Sequence, residues 1–221
     1  QRKVLLSNIN ALERVTQNRV VKLFKDKLDY KYLGDWQDRP NNKNIEVELL
    51  TKWLTDREIS STLISKATRE LDKASTMGQG KKLFDANLAI YKLLRYGVSV
   101  QESIGVNFET VYFIDWENPE ENDFAIAEEV SIEGENKKRP DIVIYVNGIA
   151  LGVIELKRSG VSVAEGIRQN LDNQNKTFIR DFFTTMQLVT AGNDTEGLRY
   201  GTIETAEKYY LSWKEENPTY N

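Results

Sequence analysis

Apolar residues recur at helical spacing through the first half of the chain. Val4, Leu5, Ile9, Leu12, Val15, Val20, Val21, Phe24 and Leu28 predict a helix over 4–29. The stretch 34–44 is rich in Asp, Asn and Arg, contains Pro40, and reads as a loop. Helical spacing returns over 45–54 (Ile45, Leu49, Leu50, Trp53), 59–71 (Leu63, Ile64, Ala67, Leu71) and 83–94 (Leu83, Ala86, Ile90, Leu93, Leu94).

Beyond residue 110 the period shortens. Val111-Tyr112-Phe113-Ile114 has the composition of a short strand, and an acidic loop over 116–123 follows it. Phe124, Ile126, Val130 and Ile132 predict a strand over 124–132. Two apolar runs, 141–146 and 149–156, flank Asn147-Gly148, the strongest short signal for a hairpin turn. A helix over 162–175 opens with the capping box Ser162-x-x-Glu165. A strand over 185–190, a turn at Gly192-Asn193-Asp194 and a return strand over 198–202 complete the pattern. Helices, then four strands, a helix and two strands define an α+β fold, a mixed sheet flanked by helices. The expected organisation is a helical N-terminal region, 1–104, packed on a core over 105–221.

Composition narrows the chemistry more than the fold. The 221 residues include no Cys and no His. That excludes disulfides, thiol nucleophiles, zinc ribbons, imidazole bases and every triad built on His. Catalysis is left to carboxylates, Lys, Tyr or Ser, and a site of oxygen ligands suits a hard cation such as Mg²⁺. No apolar run approaches the roughly 20 residues of a membrane span. The opening Gln1-Arg2-Lys3 lacks the apolar core of a signal peptide, and a chain without Cys fits a reducing compartment.

The residues with chemistry to offer are Asp141, Glu155 and Lys157. Positions i and i+2 of a strand share a face, so Glu155 and Lys157 point the same way. Whether Asp141 joins them depends on register. Strict pairing from a two-residue turn sets Asp141 opposite Ile154 and turns Glu155 away. One extra residue in the second strand, with Gly152 the expected bulge, brings Asp141 opposite Glu155. A three-residue loop over 147–149 does the same. Alone, these three residues describe a solvent-facing ion pair more often than a site. The apolar neighbours Ile142, Val143, Ile144, Val153 and Ile154 shift that balance, because charges among them need a partner or a metal. Glu165, Gln169 and Asn173 recur every four residues on the next helix and form a polar stripe.

Residues 139–159, RPDIVIYVNGIALGVIELKRS, resemble the PD-(D/E)xK nuclease motif. More narrowly, they resemble the N-terminal endonuclease domain of the R (restriction and motor) subunit of type I restriction–modification enzymes. Gly166-Ile167-Arg168-Gln169-Asn170 and the segments 122–130 and 187–201 extend the resemblance over about residues 105–215. The resemblance implies a restriction-endonuclease-like core in which Asp141, Glu155 and the Leu156 backbone carbonyl bind Mg²⁺. Lys157 would be the catalytic lysine and Gln169 would match the Gln of a Gln-x-x-x-Tyr motif. Asn173 stands where that Tyr belongs and becomes a candidate DNA contact. Related nucleases carry a Glu on an early helix, for which Glu46 is the candidate. Lys137, Lys138, Arg139, Arg158 and Arg168 are candidate contacts to duplex DNA. The partners implied are the specificity and methyltransferase subunits and the motor domains of the same subunit, in the cytoplasm and away from membranes.

Gly78-Gln79-Gly80-Lys81-Lys82 has the look of a phosphate loop without its spacing. Ser75 stands where the first Gly belongs, and Lys82 where Ser or Thr would hold Mg²⁺. ATP therefore belongs to a motor outside this chain. The formal net charge of −4 is unfriendly to DNA, yet residues 137–180 hold eight Lys and Arg against four Asp and Glu. Two other readings compete with the nuclease: a catalytically silent docking or DNA-binding module of the same assembly, and a nuclease for DNA repair or junction cleavage.

Overall fold

The computed structural model describes residues 2–214, and side chains over 13–214. Helix α1 (Arg2–Asp26) occupies the first apolar stripe. It leads into a short strand, β1 (Lys31–Asp35), then α2 (Val47–Asp56), α3 (Ser61–Ser75) and α4 (Leu83–Tyr96). Ser60 caps α3 by accepting from the Leu63 N–H at 3.2 Å. Gly97, at φ 69°, ends α4 and donates its N–H to the Leu93 carbonyl at 2.8 Å. Lys81 turns back onto the end of α3, donating to the carbonyls of Ala74 and Thr76 at 2.8 and 2.9 Å.

A hairpin of β2 (Val98–Gln101) and β3 (Phe108–Val111) follows. Then come β4 (Phe124–Glu128), β5 (Ile142–Val146), β6 (Ile149–Leu156), α5 (Val163–Asn173), β7 (Leu188–Asn193), β8 (Gly197–Gly201) and β9 (Leu211–Ser212). The main sheet has the order β1-β4-β5-β6-β7-β8-β9. Strand β1 runs parallel to β4 and β6 parallel to β7, while the other pairs are antiparallel. The α5 crossover makes the parallel step possible.

Two sequence expectations change. Strand β1 lies where the sequence predicts no element just before residue 34 and a loop after it. It is a half-exposed edge strand, so it lacks the apolar alternation of a buried one. The strand expected over 111–114 is only the end of β3, and Phe113 and Ile114 are buried in the turn beyond it. The division expected at 104/105 therefore falls inside the β2–β3 hairpin, and β1 belongs to the same sheet as the core strands.

Alternation sorts the sheet's two faces. Ile126, Ile142, Ile154 and Leu156 meet Val20, Val21 and Phe24 of α1. Ala127, Val143, Tyr145, Val153 and Val189 pack on the other side with Leu83, Ile179, Phe182, Phe183 and Met186. Burying each large side chain contributes about 1.5–3 kcal/mol. Helices α2–α4 and the β2–β3 hairpin form a further cluster around Val146 and Ile149, at the turn end of β5–β6. Among the described residues no helix is long and apolar enough to cross a membrane.

Candidate active site

The β5–β6 hairpin sets the site. Asn147 (φ 52°) and Gly148 (φ 81°) form the two-residue turn that pairs Val146 with Ile149. The glycine is required twice over, since a Cβ there would meet the Leu50 N and the Glu46 carbonyl at 2.7 and 2.8 Å. Pairing then shifts: Tyr145 faces Ala150, but Ile144 faces Gly152. The extra residue is Leu151, one position before the expected Gly152. From there Ile142 pairs with Ile154, so Asp141 comes level with Glu155 on the face toward α5.

The structure brings four predicted residues together. The Leu156 N–H donates to Asp141 Oδ2 at 2.7 Å. Lys157 Nζ donates to Glu155 Oε1 at 2.9 Å and to Gln169 Oε1 at 2.8 Å. Glu155 is 1% exposed, and its Oε2 is buried without a hydrogen-bond partner among the described residues. Gly166 lets α5 come this close. A Cβ there would stand 3.0 Å from the Ala191 Cβ and 3.5 Å from the Cγ atoms of Glu155 and Lys157. Ser162 caps α5 by accepting from the Ala164 N–H at 3.3 Å. A second cap comes from outside the helix, as Glu196 accepts from the Val163 N–H at 2.9 Å.

Charge in this site is expensive. Burial pushes the Asp141 carboxyl up to about 6, against the Leu156 N–H and the Lys157 charge that hold it down, while Glu129 and Glu13 add to the push. Burial, then the Asp141 charge beside it, raises Glu155 well above the usual carboxylate range. Burial alone would lower the Lys157 ammonium, but Glu155, Asp141 and Glu13 together outweigh it and hold it above its usual value.

Other candidates lie elsewhere. Glu46 is at the turn end of the hairpin, where its N–H donates to the Gly148 carbonyl and Arg39 grips its carboxylate at 3.0 and 2.7 Å. Roughly 17 Å of strand separates it from Asp141, so it cannot complete that site. Asn173 is 1% exposed. It faces inward with Val163, Ile167 and Asn170, not outward on a polar stripe, and is closed to DNA. Lys137 pairs with Glu133 at 3.0 Å, and Lys138 lies over the Phe178 ring at 4.1 Å. Arg139 binds Glu129 at 2.6 Å, next to Asp141, and Arg168 binds Glu207 at 3.1 Å. Arg158 follows Lys157 onto the opposite, α1 side. Of the aromatics expected to pack and not to stack on bases, Tyr210 is buried, whereas Tyr209 and Trp213 are exposed, Trp213 with its ring edge-on to Tyr200 at 5.4 Å.

Sequence reading missed the acidic and basic groups that α1 brings in. Glu13 lies close enough to act on the charges of Asp141 and Lys157. Arg14 bridges Glu128 and Glu129 at 3.4 and 3.2 Å, and Gln17 donates to Glu128 at 2.8 Å. Two adjacent acids ending an apolar strand, Glu128-Glu129, were the visible signal.

A mixed sheet with flanking helices and this cluster at the end of a central hairpin place the chain in the restriction-endonuclease-like class of α+β folds. Comparison with known proteins gives the family. The chain belongs to the type I restriction enzyme R protein N-terminus family, whose profile matches residues 10–208. It is 28% identical over 154 residues to a type I restriction enzyme endonuclease subunit of Staphylococcus saprophyticus, covering 67% of this chain and 16% of that protein. It is 28% identical over 170 residues to the type I restriction enzyme HindI endonuclease subunit of Haemophilus influenzae, covering 72% and 15%. A putative subunit of the same kind from Methanocaldococcus jannaschii is 24% identical over 181 residues, covering 76% and 16%. The chain thus spans about a sixth of the length of these relatives.

Proposed function

We propose that this chain is a Mg²⁺-dependent endonuclease domain that hydrolyses DNA phosphodiester bonds within a type I restriction enzyme R subunit. The observation that carries this reading is the convergence of Asp141, Glu155, Lys157 and Gln169 at the open end of one hairpin. The residues fit a hard cation. Glu155 offers a buried, unpartnered oxygen, and both carboxyls are held above their usual range by burial, the condition a divalent ion relieves.

Asp141, Glu155 and the Leu156 carbonyl would hold the ion. A strand residue's N–H and C=O face the same neighbour, so the carbonyl lies on the Asp141 side with the N–H. Among the described residues no three acidic side chains gather as a ready-made metal cage. That suits Mg²⁺, which takes one or two carboxylates and fills its shell with water and phosphate oxygens. Bound there, the ion supplies positive charge against the phosphoryl oxygens and acidifies the attacking water.

Lys157 has three N–H donors, of which Glu155 and Gln169 take two. The third is left to donate to a phosphate oxygen, where charge builds up in the transition state. Gln169 acts through Lys157 by fixing the direction of the ammonium. Sequence recognition by the specificity and methyltransferase subunits, and ATP-driven translocation by the motor, belong in this reading to other parts of a cytoplasmic complex.

Plasmid cleavage by the assembled enzyme tests the reading, with Asp141→Ala and Lys157→Ala beside the unaltered protein and translocation followed in the same samples. Cleavage is expected to fall about a hundredfold or more while translocation continues. Cleavage that persists in both variants would refute the site.

A further inference from the structure

A second pocket lies beside the catalytic lysine, on the α1 side of the sheet. Val15, Thr16, Arg158, Ser159, Gly160 and Asp194 line an open cleft of about 150 Å³. That is well below the roughly 300–1,000 Å³ of a small-molecule site, yet it is several water volumes. Its walls are braced. The Val161 N–H closes the turn onto the Arg158 carbonyl at 2.9 Å, and Asn193 donates to the Val161 carbonyl at 2.7 Å. Thr195 donates to the Ser159 carbonyl at 3.3 Å.

The one acid in the wall is already engaged. Asp194 accepts from Thr16 Oγ1 at 3.1 Å and pairs with Arg19. Arg158 is not: its Nε is buried without an acceptor, and among the described residues it has no carboxylate partner. Arg158 lines the cleft, and the one acid beside it is taken by Thr16 and Arg19, so the guanidinium is left to offer a site for an anion. It follows Lys157 immediately in sequence.

We propose that this pocket receives a backbone phosphate of duplex DNA neighbouring the one at Lys157, with Arg158 as its charged donor. The inference rests on the nuclease reading for its choice of ligand. Together, Lys157 on the α5 side and Arg158 on the α1 side would straddle the end of β6 with two phosphates of one strand and so fix which bond lies over the carboxylates.

The test is binding of this chain to a short DNA duplex in EDTA, followed by fluorescence anisotropy across a salt series, so that neither metal nor hydrolysis contributes. Arg158→Gln is expected to weaken binding and reduce the slope of log affinity against log salt by about 1, the loss of one phosphate contact. Arg158→Lys is expected to restore the slope, which a purely structural role for the guanidinium would not do. Because the readout is binding without metal or hydrolysis, the phosphate site stands even if plasmid cleavage later overturns the nuclease reading. An Arg158→Gln slope equal to that of the unaltered chain overturns the proposal, and so does failure of the unaltered chain to bind duplex at low salt.

Discussion

Replacing Asp141 by Asn should make the metal-free chain more stable. The Asp141 carboxyl rises from 3.8 to about 6 on folding. At about 1.4 kcal/mol for each tenfold change in proton affinity, holding it ionised at pH 8 costs the fold about 3 kcal/mol. The side chain is partly open to water, so about 2 kcal/mol is the working figure. The amide is isosteric. Its oxygen still accepts from the Leu156 N–H, and its NH₂ points toward Glu155 without adding charge. The sign follows from linkage: a folded-state value above the unfolded one means stability is full below pH 4 and is lost as pH rises through about 6. Thermal melts in EDTA should therefore show Asp141→Asn melting about 4–8 °C above the unaltered chain at pH 8 and level with it below pH 4. Millimolar Mg²⁺ should raise the unaltered chain and close the gap, because an ion that binds only the folded state stabilises it. An Asn variant that melts lower in EDTA at pH 8, or a gap independent of pH, would refute the picture of two carboxyls forced together.

Three further outcomes follow from the same geometry. Mg²⁺ titrated calorimetrically in buffers of different ionisation heat should release protons between pH 6 and 8, with affinity rising with pH, because Asp141 and Glu155 must both ionise to bind it. Gly166→Ala should gain about 1 kcal/mol of helix propensity but lose more by pressing its Cβ on Ala191; denaturant unfolding should show a net loss of about 1 kcal/mol, and cleavage should fall as Gln169 is moved off Lys157. Asn147→Ala should cost about 3 kcal/mol in the same unfolding assay, since its buried amide bonds the Phe113 carbonyl, Asn122 Oδ1 and the Asp123 N–H at 2.7–2.8 Å, and its φ of 52° disfavours Ala.

What could be read from the chain was what neighbours in sequence decide. Asn147-Gly148 and the apolar runs beside it fixed the hairpin, and the need to align Asp141 with Glu155 required one extra residue, found at Leu151. Gln169 came from the family resemblance and from its place on the polar stripe of the helix after Lys157. The failures are long-range. Glu13 reaches the site only because α1 lies across the sheet, more than 120 positions away in sequence, whereas Glu46 is held by Arg39 at the other end of the hairpin. Asn173 misled because its polar character suggested solvent, while its helix turns Asn170 inward to bond the Thr190 carbonyl at 2.8 Å. Strands β1, β2 and β3 carry too few buried positions to leave a period.

The unpaired residue at Leu151 makes the chemistry a question of parity. Gain of one residue between Ile149 and Glu155, with Leu151 still unpaired, leaves an apolar strand that still completes the sheet, yet swaps its two faces. Glu155 and Lys157 would then point at α1, and Ile154 would stand opposite Asp141. A change of two residues returns the same faces to the same sides. While Leu151 stays unpaired, the β6 segment thus behaves as an odd–even counter: insertions of one parity keep Asp141 and Glu155 level, and insertions of the other part them.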